Sequence, residues 1–230
     1  MSGAAPCCRP RPSCCAPTRG RFAASCDGAR IKLTARDQSH GSSVILELDV
    51  RLADPDRDAP AVAAIYRPAV ESSAASFEEV APDATEMARR MRSTLRHLPW
   101  LVAVAGGEWI VGYAYAGLHG ERAGYRWSVD ISAYVHPDRR GQGVGRRLHG
   151  ALLPIIRRQR FVNVYAGITL PNPGSVALHE SMGMRLVGVY ERVGYKRGAW
   201  HDVAWYGMRI AEPVATPDGP IPLPALRTDG

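Results

Sequence analysis

Cysteine is confined to the first 26 residues of this 230-residue chain: Cys7, Cys8, Cys14, Cys15 and Cys26 are the whole set. A disulfide-stapled secreted domain spreads its cysteines through its core, so the body reads as cytoplasmic. The paired Cys-Cys spacing fits no zinc pattern, and no metal is expected. Long apolar runs are missing too. None approaches the ~20 residues of a membrane helix, so no membrane partner is expected. Charge of one sign is also scarce once the net +7 is located. Residues 1–43 hold seven basic and two acidic side chains, and the rest of the chain holds 22 basic and 20 acidic. A body so close to neutral argues against a nucleic-acid partner.

What is present reads as one domain with two tails. Residues 1–43 are expected to be a disordered, basic, Cys-containing tail. A targeting peptide without an apolar core and a misassigned translation start are the other readings. VILELDVRLA (44–53) alternates as a first strand, and 58–70 places Val62, Ile65 and Ala69 on one helical stripe. A second amphipathic helix, 84–98, carries Met87, Met91, Leu95 and Leu98 and stops at Pro99. WLVAVA (100–105), a Gly-Gly turn and 108–118 read as a hairpin. In 125–135, Val129, Ile131, Ala133 and Val135 share an apolar face, with Ser128, Asp130, Ser132 and Tyr134 on the other. A helix (144–160), a strand (161–169), a short helix (175–183) and two strands (185–195, 200–210) follow. Pro154 inside the first of these predicts a kink. The order predicts an α/β fold, a mixed and mostly antiparallel sheet with helices on both faces. Residues 211–230 contain five prolines and are expected to be extended.

HPDRRGQGVG (136–145) sets Gly141, Gly143 and Gly145 at alternate positions between a strand and a helix. A P-loop needs Lys and then Ser or Thr after its last glycine, and Arg146-Arg147 stand there instead. A dinucleotide fingerprint needs GxGxxG after the first strand and a carboxylate ~20 residues on, and neither is found. A diphosphate seated on the helix N-terminus remains, favoured by orphan N–H groups and by Arg139, Arg140, Arg146 and Arg147. A tight left-handed turn before a helix is the plainer alternative.

RRGQGVG resembles the Q/R-x-x-G-x-G/A acyl-CoA signature of the GCN5-related N-acetyltransferase (GNAT) superfamily, over roughly 44–210. PWLVA (99–103), GYAYAG (112–117), YRW (125–127), YVHP (134–137), ITLPNPGSVALHESMG (168–183) and GYKRGAWHDV (194–203) are similar to its phosphinothricin N-acetyltransferase branch. The resemblance implies a GNAT fold, a twisted sheet of about seven strands with about four helices. It implies acetyl-CoA as co-substrate and direct transfer to a small-molecule amine, with no acyl-enzyme; the cysteine-free body agrees. The main chain of Ala133, Tyr134 and Val135 would hold the pantetheine. Gly141, Gln142, Gly143, Val144, Gly145 and Arg146 would hold the diphosphate, and Asn172 would bond near the thioester. A homodimer is implied, with the Pro-rich end across the partner.

An ammonium must lose a proton before it attacks a thioester. Asp130 stands where that branch has a glutamate, and its place mid-strand wants a reason; a solvated or hairpin-paired Asp is the alternative. His179 could accept the amine proton or donate to the thiolate, or could be a packing residue. A strand N–H at about Tyr134 is the expected oxyanion donor. Candidate anchors for an acidic amino-acid substrate are Phe77, Tyr115, Arg122, Tyr125 and Lys196, which could also be core aromatics and surface charges. A non-catalytic acyl-CoA sensor and a GNAT enzyme acting on another amine are the rival functions.

Overall fold

A computed structural model describes residues 48–226. The tail expected over 1–43 and the start of the first predicted strand, 44–47, lie outside the described residues. The order is β1 (Leu48–Leu52), α1 (Pro55–Glu71), α2 (Ala84–Leu95), β2 (Trp100–Ala105), β3 (Trp109–Leu118), β4 (Ser128–Val135), α3 (Val144–Arg158), β5 (Asn163–Thr169), α4 (Pro173–Ser181), β6 (Arg185–Lys196) and β7 (Ala199–Arg209). One sheet runs β1-β2-β3-β4-β5-β7-β6. Every pairing is antiparallel except β4 with β5, which α3 connects.

Local chemistry sets the helix boundaries. Asp54 caps α1 by accepting from the N–H groups of Asp56 and Arg57, with Pro55 as the first helical residue. Asp83 caps α2 through the Glu86 N–H at 2.8 Å. α3 runs from Val144 to Arg158 with Pro154 inside it, on the solvent side. Each face of the sheet carries a separate core. Val62, Ile65, Met87 and Met91 of α1 and α2 pack with Trp100, Val102 and Tyr113. Leu148, Leu152 and Ile156 of α3 pack with Val129, Ile131, Val164 and Ile168. The alternation expected in β4 therefore separates two helical layers rather than core from solvent.

The Pro-rich end lies on its own domain. Buried Gln159 donates through Nε2 to the carbonyls of His97 and Ile221, at 2.6 and 2.8 Å. Its own carbonyl accepts from the Ile221 N–H at 2.9 Å. Trp127 Nε1 donates to Asp218 O, and Arg160 pairs with the Asp218 carboxylate, both within 2.9 Å. Among the described residues of this segment, 211–226, the one helical piece is the 3-10 turn Leu223–Ala225.

Candidate active site

β4 and β5 pair only at Ser128–Asn163, Val129–Val164 and Asp130–Tyr165, then part. The gap opens into a cleft of about 940 Å³, lined by Ile131–Val135 on one side and Ala166–Asn172 on the other. Hydrogen-bond parity decides which main-chain groups of β4 face it. His136 N–H donates to Val111 O, and His119 N–H donates to Ser128 O, so the even residues of β4 bond to β3. The odd residues face the cleft: Trp127 O accepts from β5's approach at Val162 N–H, and Val135 O accepts weakly from Arg140 Nε. Tyr134 lines the cleft, but its N–H and C=O are turned to Tyr113. The oxyanion donor expected at Tyr134 is corrected accordingly, and Ala133 and Val135 offer the main-chain groups on the cleft side.

The three glycines have two different reasons. Gly141 and Gly143 have φ of 72° and 77°, where a side chain is strained. Gly143 is the N-cap of α3, and no side chain caps that helix. The first intrahelical bond runs from Arg147 N–H to Gly143 O. The N–H groups of Val144, Gly145 and Arg146 are thus left without helical partners, and the first turn has no acidic residue. Gly145 is needed for packing instead, since a Cβ there would meet Leu178 Cδ2 of α4 at 2.9 Å. Gln142 folds back, Nε2 donating to Asp138 O at 2.9 Å and Oε1 facing Arg139, so it braces the turn. The Arg139 guanidinium stacks on Trp109 at 4.6 Å, with its buried Nε left without a partner.

Asn172 caps α4. Its Oδ1 accepts from Ser175 N–H at 3.2 Å, which orients the amide with its NH₂ available to a ligand in the cleft. His179 follows on α4, buried, and donates Nδ1–H to Ser175 O at 2.7 Å. The other ring nitrogen therefore carries a lone pair, and it is buried without a partner. Burial lowers the His179 pKa. Its ring meets that of His149, 5.3 Å away on α3. Sequence reasoning passed over His149. It is fully buried, bonded through Nδ1 to Gly145 O, and burial together with His179 lowers its pKa to about 4.

Asp130 lies on the opposite face from His179, with Ser132 and Tyr134, so the two expected proton-handling groups flank the parted strands from either side. Asp130 is paired, to a residue that sequence reasoning missed: His119 Nδ1 donates to Asp130 Oδ1 at 2.6 Å. Burial raises the Asp130 pKa and the His119 bond pulls it back. Tyr115 stacks on Trp100 at 4.3 Å on this same face. Burial raises its hydroxyl pKa, opposed by a hydrogen bond with Ser132. Tyr125 is exposed, edge-on to His119 at 6.0 Å. Arg122 is exposed beside it and enters no ion pair among the described residues.

Lys196 is not a free anchor. Its Nζ donates to Val70 O, Ser76 O and Glu78 O at 2.6, 2.6 and 2.7 Å, tying the β6–β7 hairpin to the last turn of α1 and to the segment that follows it. Phe77 rests on the same hairpin, over Gly194, whose Cβ would fall 2.2 Å from the ring. Glu78 is held in turn by Arg90, at 2.7 and 3.0 Å, which keeps its carboxyl below the usual range. The hairpin and the segment it holds contribute Ser73, Ala74, Ala75, Arg197 and His201 to the cleft wall.

The family model of the acetyltransferase (GNAT) domain matches residues 53–205. A phosphinothricin N-acetyltransferase of Alcaligenes faecalis is 43% identical over 155 residues, covering 64% of this chain and 75% of that one. An L-methionine sulfoximine/L-methionine sulfone acetyltransferase of Salmonella typhimurium is 33% identical, covering 73% of this chain and 98% of its own. The solved structure of a phosphinothricin acetyltransferase from Sinorhizobium meliloti in complex with acetyl-CoA superposes with a TM-score of 0.70 at 33% identity, over 75% of this chain and 92% of that one.

Proposed function

The chain belongs to the acetyltransferase (GNAT) family, and on that premise we propose that it acetylates the amine of a small amino acid whose side chain carries an oxygen-rich phosphorus or sulfur group. Phosphinothricin, methionine sulfone and methionine sulfoximine are the type of substrate meant, and transfer is direct, in a ternary complex. The observation that carries this reading is the parted β4–β5 pair with an uncapped helix N-terminus at its mouth. Bound acetyl-CoA supplies the activated acetyl thioester. The residues fit it: the N–H groups of Val144, Gly145 and Arg146 suit a diphosphate, and the cleft-side main chain of Ala133 and Val135 suits an amide-bearing arm. The Asn172 NH₂ adds a side-chain donor in the same cleft.

The first proton lost by the ammonium leaves on the Asp130 side of the sheet. His179 is neutral at pH 7 and receives the second proton at Nε2, from the nitrogen as it bonds to carbon, then passes it to the departing sulfur. The cleft lining includes Arg139, Arg140, Arg146 and Arg197 and no carboxylate. That sign suits an oxygen-rich substrate and repels a polyamine. A homodimer accompanies this reading, since edge strand β6 exposes Leu186, Val187, Val189, Tyr190, Val193 and Tyr195.

A thiol-release assay with acetyl-CoA and an amine panel tests the reading. Phosphinothricin or the methionine derivatives should release coenzyme A well above the rate with spermidine. Calorimetric binding of acetyl-CoA with no release for any amine would overturn catalysis in favour of a sensor.

A further inference from the structure

His119 lies just past the end of β3 and is assigned no role above beyond its bond to Asp130. Its surroundings are those of an oriented base. The Nδ1–H to Oδ1 bond of 2.6 Å fixes the ring tautomer, because a carboxylate oxygen only accepts. The lone pair is then on Nε2, to which no group bonds among the described residues. Three aromatic rings enclose the imidazole. Tyr165 of β5 stacks beneath it at 4.4 Å, Trp205 of β7 stands edge-on at 5.8 Å, and Tyr125 stands edge-on at 6.0 Å. Gly120 permits that last contact, since a Cβ there would meet Tyr125 Cδ2 at 2.9 Å. The ring is therefore held on three sides by aromatics and on the fourth by a carboxylate.

There is also room for a substrate beside it. Gly117 is the β3 partner of Asp130, and nothing lies within 4 Å of where its Cβ would be. Ser132, two residues further on the same face of β4, already lines the cleft. Asp130 and His119 lie outside the cleft lining, next to Ser132 at its edge, and the bare stretch of sheet over Gly117 leaves room for a ligand to reach from the cleft toward them. Only about a quarter of the His119 side chain is exposed, so the pair is neither sealed off nor loose in solvent.

We infer that His119 and Asp130 act as a dyad, in which Asp130 orients the ring and His119 Nε2 takes the first proton of the substrate ammonium. The inference deepens the acetyltransferase reading and rests on it. In the step, the N–H bond of the ammonium breaks, its electron pair stays on nitrogen, and the proton goes to Nε2. The imidazolium so formed faces the Asp130 carboxylate on one side and the π-face of Tyr165 below, both of which favour a cation. The proton leaves from His119 to water before the next turnover. His119 is thus the catalytic base and Asp130 its positioning partner.

The test uses the full chain, the best amine from the panel, and two variants. His119→Gln keeps a donor for Asp130 and removes the base. It should lower kcat about 100-fold, within the range of general-base catalysis, with the KM for acetyl-CoA changed less than about twofold. His119→Ala should lose a similar factor and regain at least a tenth of it with added imidazole. Pyrazole, of the same shape but a far weaker base, should restore nothing. If Gln retains kcat within about threefold, or if both azoles rescue alike, His119 is a packing residue and the dyad is wrong. If the parent chain releases coenzyme A with no amine, the acetyltransferase reading itself has failed and the dyad falls with it.

Discussion

Replacing Lys196 with methionine keeps the length and the apolar stem of the side chain and removes only its ammonium. In the fold that ammonium satisfies three carbonyls of one segment, Val70 O, Ser76 O and Glu78 O, all within 2.7 Å. A hydrogen bond to a charged group contributes about 1.5–3 kcal/mol. Three bonds sharing one donor do not add, and partly exposed carbonyls regain water, so about 3 kcal/mol is the expected loss. For a domain of this size that lowers the melting temperature by about 6–12 °C. Lys196→Arg should rescue little, because a planar fork cannot place one nitrogen among three converging carbonyls. Thermal melts followed by circular dichroism, beside KM for the amine, check this. KM should rise as well, since the segment carries the Ser73–Ala75 wall of the cleft. A melting temperature within about 2 °C of the parent, with a raised KM, would refute the staple and return Lys196 to the substrate.

Two further outcomes follow from the cleft. Gly145→Ala should weaken acetyl-CoA binding about fivefold to tenfold by calorimetry, because the new methyl drives Leu178 toward the cleft. Adding Leu178→Ala should restore most of the affinity, and undiminished binding by the single variant would show that the contact is not needed. His149 makes stability depend on acid. Its pKa falls from 6.5 to about 4 on burial, so its contribution is fully present above pH 6.5 and is lost as pH falls toward 4. The loss amounts to about 3 kcal/mol, at 1.36 kcal/mol per pKa unit. His149→Met should flatten the decline in melting temperature between pH 7 and 4.5, and an unchanged slope would show that other groups cause it.

The element order was legible because period and punctuation survive in a single chain: Pro99, the Gly106-Gly107 turn and the alternation in β4 each mark an element that forms. The glycine stretch was legible as a place, and only partly as a mechanism. Gly141 and Gly143 answer to backbone angle, whereas Gly145 answers to a leucine on another helix, which no local pattern records. Lys196 read as a substrate anchor or a surface charge, and not as a staple, because its three partners lie 118 to 126 residues away. Tyr134 was assigned an N–H facing the ligand, but alternation shows only which side chains share a face and not which strand edge is free. That edge is decided by the register with β3. His119 carried a faint signal. An aspartate mid-strand needs a partner, and with Gly117 directly across from it, the diagonal polar side chains on that face are Tyr115 and, just past the end of β3, His119. The same glycine that removes a neighbour from Asp130 leaves the carboxylate open on one side and bonded on the other. A carboxylate so placed can orient a second base and still stand beside a substrate, which neither a solvated nor a wholly buried aspartate could do.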